Sequence, residues 1–108
     1  MIIAERVLRM EMPDGAVDVP IRLFAPLPFD NHWACRWEIH WPDGVESFEG
    51  CGLDSVQALY IAMQMVGINL YLSDPHEDGL MHWGTWKGYG FPVTSNMRDE
   101  LAEDDLRL

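Results

Sequence analysis

The chain has 108 residues, with 18 acidic side chains against 7 basic ones and a formal net charge of -11. At this length roughly two-thirds of the unfolded surface can be buried, which fits one domain with a single core and no need of a metal or disulfide staple. A hydrophobic share of 48% excludes global disorder, and so few dispersed cations exclude a groove for a phosphate backbone.

The N-terminus Met1-Ile2-Ile3-Ala4-Glu5-Arg6 lacks the basic region and long apolar core of a signal peptide, so a cytoplasmic chain is expected. Two hairpins follow. Met12-Pro13-Asp14-Gly15-Ala16 and Trp41-Pro42-Asp43-Gly44-Val45 share a Pro-Asp-Gly turn, in which proline presets φ, aspartate tolerates the bend and glycine accepts positive φ. In the first, Ile2, Ala4, Leu8, Met10 and Met12 alternate with mostly polar neighbours, as do Val17, Val19, Ile21 and Leu23. Matching the apolar faces predicts Met12 opposite Val17, Met10 opposite Val19 and Leu8 opposite Ile21.

In the second hairpin Trp33, Cys35, Trp37, Ile39 and Trp41 share one face and are expected to pack under a helix. The equivalent register sets Ile39 against Phe48, Trp37 against Gly50 and Cys35 against Gly52, turning Cys51 to the other face. A three-residue turn with a bulge would instead oppose Cys35 and Cys51, but it would bring Glu49 to the core side. The first register is preferred, and with it no disulfide. Neither cysteine has metal-finger spacing.

The period then changes. Asp54 with Gln57 forms a capping box, and a helix is predicted to about Tyr71. Val56, Leu59, Tyr60, Met63, Val66, Leu70 and Tyr71 make a wide apolar stripe. The opposite side, with Gln57, Ile61, Gln64, Ile68 and Leu72, is uncharged as well. The 17 residues Val56–Leu72 are at the short limit for a membrane span and contain two glutamines, a glycine and an asparagine, so a buried helix is read, with no membrane. Its back is expected to be covered by the last third of the chain or by a second subunit.

Ser73-Asp74-Pro75 stops the helix. An acidic loop is predicted to Gly79, then strands at Leu80–Trp83 and Tyr89–Val93 around a Gly84–Gly88 turn. The tail from Met97 carries five acids and two arginines; Ser95 or Asn96 can cap a short helix there, or the tail frays. Four strands without intervening helices exclude a doubly wound nucleotide fold. The expected fold is α+β: a four-stranded antiparallel meander with one long helix on a face and a short C-terminal hairpin, residues 1–93 forming the domain and 94–108 an acidic tail.

For chemistry, His32, His40, His76 and His82 show no H-x-x-x-H or H-E-x-x-H spacing, so no metal or other cofactor is expected. His40 and His82 meet if the last hairpin joins the sheet. No serine lies in a nucleophile elbow. Cys51, just before the helix, is better placed for a lowered thiol pKa than Cys35, but no catalytic residue is assigned. Trp83, Trp86 and Tyr89 crowd a glycine-rich stretch with the only lysine, Lys87, and aromatic anchors of this kind suit a binding surface. Candidate binding residues are therefore Trp83, Trp86, Tyr89, His40 and His82.

The run Gly52-Leu53-Asp54-Ser55-Val56-Gln57-Ala58-Leu59, continued through Val66-Gly67 and Asn69-Leu70-Tyr71-Leu72-Ser73-Asp74 to Gly90-Phe91-Pro92-Val93, resembles a family of small uncharacterised bacterial domains over about residues 1–93. The resemblance implies a stand-alone bacterial cytoplasmic protein with no assigned activity and no catalytic residue to carry over. Two functions follow as expectations. One is a non-enzymatic protein that binds a protein partner or itself, a basic partner being favoured by the compositional analogy with toxin-immunity proteins. The other is a small enzyme or ligand binder with a pocket between sheet and helix, using His40, His82, Cys51 or Asp54.

Overall fold

A computed structural model describes all 108 residues. Four long strands, β1 (Ile2–Met10), β2 (Val17–Phe24), β4 (Trp33–Trp41) and β5 (Gly44–Gly52), pair in succession as an antiparallel meander. The two-residue β3 (Leu27–Pro28) pairs with the start of β4, and β6 (Met81–His82) adds to the free edge of β1. One long helix, α1 (Ser55–Tyr71), packs on one face of the sheet. The fold is α+β.

Both hairpin registers differ from expectation by two residues. Met10 faces Val17 and Leu8 faces Val19; in the second hairpin Trp37 faces Phe48, Ile39 faces Glu46 and Cys35 faces Gly50. The cause is the turn. With proline at its second position and aspartate at its third, Pro-Asp-Gly puts glycine at the fourth, so the second hairpin closes with Trp41 opposite Gly44. A slip of two preserves every side chain's face. Leu8, Val19, Ile21, Leu23, Cys35, Trp37 and Ile39 accordingly form the buried side. Cys51 points to the opposite face from Cys35, and both thiols are free.

The capping box forms: Asp54 accepts from the Gln57 N–H at 2.8 Å, and Gln57 accepts from the Leu53 N–H at 2.6 Å. Of the expected stripe the helix buries Val66, Leu70 and Tyr71 and packs Leu59 and Met63 on the core, but it leaves Val56 and Tyr60 outside. Ala58, Ala62, Val66 and Leu70 lie against the sheet, whereas Val56 is 73% exposed and Tyr60 51%. Glycines in β5 explain this choice. A Cβ on Gly50 would stand 2.4 Å from the Ala62 nitrogen, and one on Gly52 2.5 Å from that of Ala58. The backbones approach so closely that only the smallest helix residues fit between them.

The chain after the helix departs further from the sequence reading. Asp74–Glu77 forms a one-turn helix, α2, capped by Ser73. Tyr89–Val93 forms no strand, so the expected C-terminal hairpin is absent; glycines 84, 88 and 90 adopt positive φ and fold the segment into a loop. That loop climbs onto the helix, where the Pro92 carbonyl sits over Gly67. The last third of the chain thus covers the helix at Gly67, while Leu72, on the expected back, is 66% exposed. The tail is folded as well, with 3-10 turns at Ser95–Glu100 and Asp105–Arg107. No helix is long and apolar enough to cross a membrane.

Candidate functional site

The sequence candidates separate. His40 lies on the solvent side of β4, hydrogen-bonded to Glu38 at 2.8 Å. His82, on β6, pairs with Glu11 at 3.1 Å. Strands β1 and β2 lie between them, a separation of about 14 Å at 4.8 Å per strand, so the expected meeting does not occur. Cys51 is exposed, on the sheet face opposite Cys35. Asp54 is consumed as the cap. No three His, Cys, Asp or Glu side chains converge as metal ligands. The groove between sheet and helix, about 240 Å³, is lined by Leu59, Met63, Ile21, Leu23, Phe91 and Arg6, and by none of the four polar groups assigned to it.

Trp83, Trp86 and Tyr89 do come together, around a residue that the sequence reading left in the solvated tail. Asp105 is 2% exposed, and its carboxylate accepts four hydrogen bonds, two at each oxygen. The Trp86 indole N–H and the Gly90 N–H donate to Oδ1 at 2.6 and 2.8 Å. The Tyr71 hydroxyl and the Tyr89 N–H donate to Oδ2 at 2.5 and 2.8 Å. Two donors per oxygen meet the preferences of a planar carboxylate, and bonds to an ion are the stronger kind. Tyr71 arrives from the end of α1, and its oxygen also accepts from the Ala102 N–H at 3.0 Å.

Arg6 closes the site from below. Strand alternation places it on the buried side of β1, where its guanidinium donates to the carbonyls of Tyr89 and Gly90 and stacks on Trp83, 3.8 Å from the ring centroid. Burial lowers the Arg6 pKa, and the Asp105 charge opposes that fall. Tyr89 is only 4% exposed, so it is a core residue and not a surface anchor. Burial first, and then the Asp105 charge, push its hydroxyl up to about 12. That hydroxyl is hydrogen-bonded to His76 Nδ1. Tyr71 is raised too, by burial and by the bond it gives Asp105.

Trp86 links this carboxylate cradle to an open cleft of about 330 Å³ lined by His76, His82, Thr85, Trp86, Lys87 and Tyr89. It gathers the only lysine and two of the four histidines of a strongly acidic chain. Sequence reasoning missed Asp105, Arg6, Tyr71 and His76. For Arg6 the signal was parity, since it falls between Ala4 and Leu8 on the apolar side. For the tail it was Leu101-Ala102, apolar residues among acids.

No curated protein and no solved structure matches the chain. A family model described as "Domain of unknown function (DUF6968)" matches residues 4–93. That span includes every donor of the cradle and ends before the residue they hold, and the chain belongs to this family.

Proposed function

We propose that the chain is a non-enzymatic binding protein for a protein partner, and that the cleft beside Trp86 is its recognition surface. One observation carries this reading: Lys87, His76, His82 and a 37% exposed Trp86 share a concave surface on a chain of net charge -11. A partly exposed tryptophan is a favoured anchor at recognition sites, and Lys87 sets a cation beside it on an acidic chain. Free thiols on opposite faces support a reducing, cytoplasmic setting. The test is site-specific crosslinking from Thr85 in cells, repeated with Lys87→Glu and His82→Glu. Loss of the crosslinked partner in both variants is expected. A partner captured equally by all three forms would refute this surface.

A second reading, self-association, is favoured by the helix. Val56 and Tyr60 are 73% and 51% exposed and lie four residues apart on a helix that carries no charged side chain. Two such helices can pair without adding charge repulsion at the contact. Sedimentation should show a dimer that Tyr60→Glu dissociates; a monomer at high concentration would end this reading.

A further inference from the structure

We propose that the loop Trp86–Gly90, with Tyr71, is a receptor for an aspartate pair in an acidic peptide, and that this chain fills it with its own Asp104-Asp105. The inference rests on the reading of the Trp86 face as a binding surface and adds the chemistry of what binds there.

Complementarity is the first ground. Two donors on each oxygen of Asp105 suit a planar carboxylate, and all four belong to residues 71–90. The neighbouring position is read as well: the Lys87 N–H donates to Asp104 Oδ2 at 2.7 Å, while the Asp104 N–H donates to the Lys87 carbonyl at 2.9 Å. This two-way pairing sets the register of an incoming peptide with no other side chain involved.

Shape is the second ground. A Cβ on Gly88 would stand 2.3 Å from the Asp105 carboxyl carbon, and Gly88 has φ +123°, so the loop is open at the one point where the carboxylate enters. The third ground is that Asp105 is the one tail residue fully enclosed, Met97, Leu101 and Ala102 packing against the core only in part and the Ala102 N–H donating to Tyr71. From 94 to 108 Asp105 is the only buried residue, and Leu106 and Leu108 are 43% and 64% exposed. The receptor lies within the family span of 4–93, and the occupant lies outside it.

The net charge of -11 repels a free acidic peptide at long range. At physiological salt that field decays within about 8 Å, whereas the donors of Tyr71, Trp86, Lys87, Tyr89 and Gly90 act at contact. The association rate of an acidic peptide should therefore rise with salt, opposite to that of a basic partner.

The experiment uses the full-length protein and Asp105→Ala, each labelled with nitrogen-15. Each is titrated with the synthetic peptide Leu101–Leu108, with the same peptide carrying asparagine for both aspartates, and with inorganic phosphate. In Asp105→Ala the aspartate peptide should shift the Tyr89 and Gly90 amides and the Trp86 indole saturably, at least ~10-fold more tightly than the asparagine peptide. The unsubstituted protein should need at least ~10-fold more peptide, because its own tail competes at a millimolar effective concentration, and the displaced Leu106 and Leu108 amides should move to unfolded positions. Equal responses to both peptides, or to phosphate and peptide alike, would overturn the proposal, as would a folded Asp105→Ala that responds to none. If Asp105→Ala does not fold, the unsubstituted protein decides: a tail that stays bound at the highest soluble peptide concentration overturns the proposal. Crosslinking that fails at Thr85 while the peptide still binds would sink the broader reading and leave this one standing.

Discussion

Arg6 and Asp105 hold the same two residues from opposite sides. The guanidinium takes the carbonyls of Tyr89 and Gly90 at 3.1 and 2.9 Å, and the carboxylate takes their N–H groups, both at 2.8 Å. A glycine-rich loop that would otherwise be floppy is thereby fixed between the first strand and the end of the chain.

Removing either partner should therefore loosen the other's grip. Asp105→Ala leaves four donors without an acceptor, and Asp105→Asn turns an N–H group toward two of them, so each should cost about 2–4 kcal/mol in urea unfolding. Arg6→Met should cost less alone. The double variant should fall short of the sum by about 1 kcal/mol, because the two residues act through one loop. Strict additivity would show that the loop does not couple them.

Gly88 and Gly79 provide a matched pair. Both have positive φ, but a Cβ at Gly79 meets nothing within 4 Å, whereas one at Gly88 meets the Asp105 carboxylate. Gly79→Ala should cost about 1–2 kcal/mol, the strain of the left-handed backbone. Gly88→Ala, at φ +123° and outside the left-handed helical well, should cost more than that and lose the Asp105 contacts too, and should raise the mobility of the 104–108 amides. Equal losses would mean that the carboxylate tolerates the methyl group.

The buried tyrosines predict an alkaline limit. In the unfolded chain tyrosine titrates near 10, whereas Tyr89 in the folded protein is pushed up to about 12 and Tyr71 is raised as well. Below pH 10 both states keep these protons and the stability is complete. Between 10 and 12 only the unfolded chain releases them, so the urea midpoint should fall across that window, and fall less in Tyr89→Phe. On the acid side, Glu38 is held below its usual value of 4.5 by the hydrogen bond to His40, with Arg36 adding to it. Its contribution is present above 4.5 and lost as pH falls through the folded value, a loss that Glu38→Gln should abolish.

The two thiols should differ sharply. Cys51 is exposed, while Cys35 is fully buried with its pKa raised by that burial and its thiol donating to the Phe24 carbonyl at 3.2 Å. Alkylation of the native protein should modify Cys51 alone, with Cys35 reacting only in denaturant. Mass spectrometry without reductant should show no internal disulfide.

Residues 1–72 were largely legible because their instructions are local: period-two alternation, two Pro-Asp-Gly turns, an Asp54 cap and a change to helical period. What misled was side-chain size. Val56 and Tyr60 look like core, yet Ala58 and Ala62 take that place because Gly50 and Gly52 face them, a fact about pairing between distant segments. After Ser73 the alternation in Tyr89–Val93 suggested a strand, but Gly88 and Gly90 at positive φ and the long-range bonds from Arg6 and Asp105 decided otherwise. Asp105 was hidden by its surroundings, since one buried aspartate among five tail acids has no pattern of its own.

The registers of the two hairpins have a consequence for how this family can vary. A pair of residues gained or lost at 11–16 or at 42–43 would leave each strand's inward and outward sides intact. A single one has to be taken up by a bulge or a three-residue turn, because a one-residue slip of the strands would expose Leu8 and Val19, or Trp37 and Ile39. Odd changes in loop length among relatives should therefore come with a bulge at these two places, while the stretch from Gly84 to Gly90, held by Arg6 and Asp105, has no such freedom.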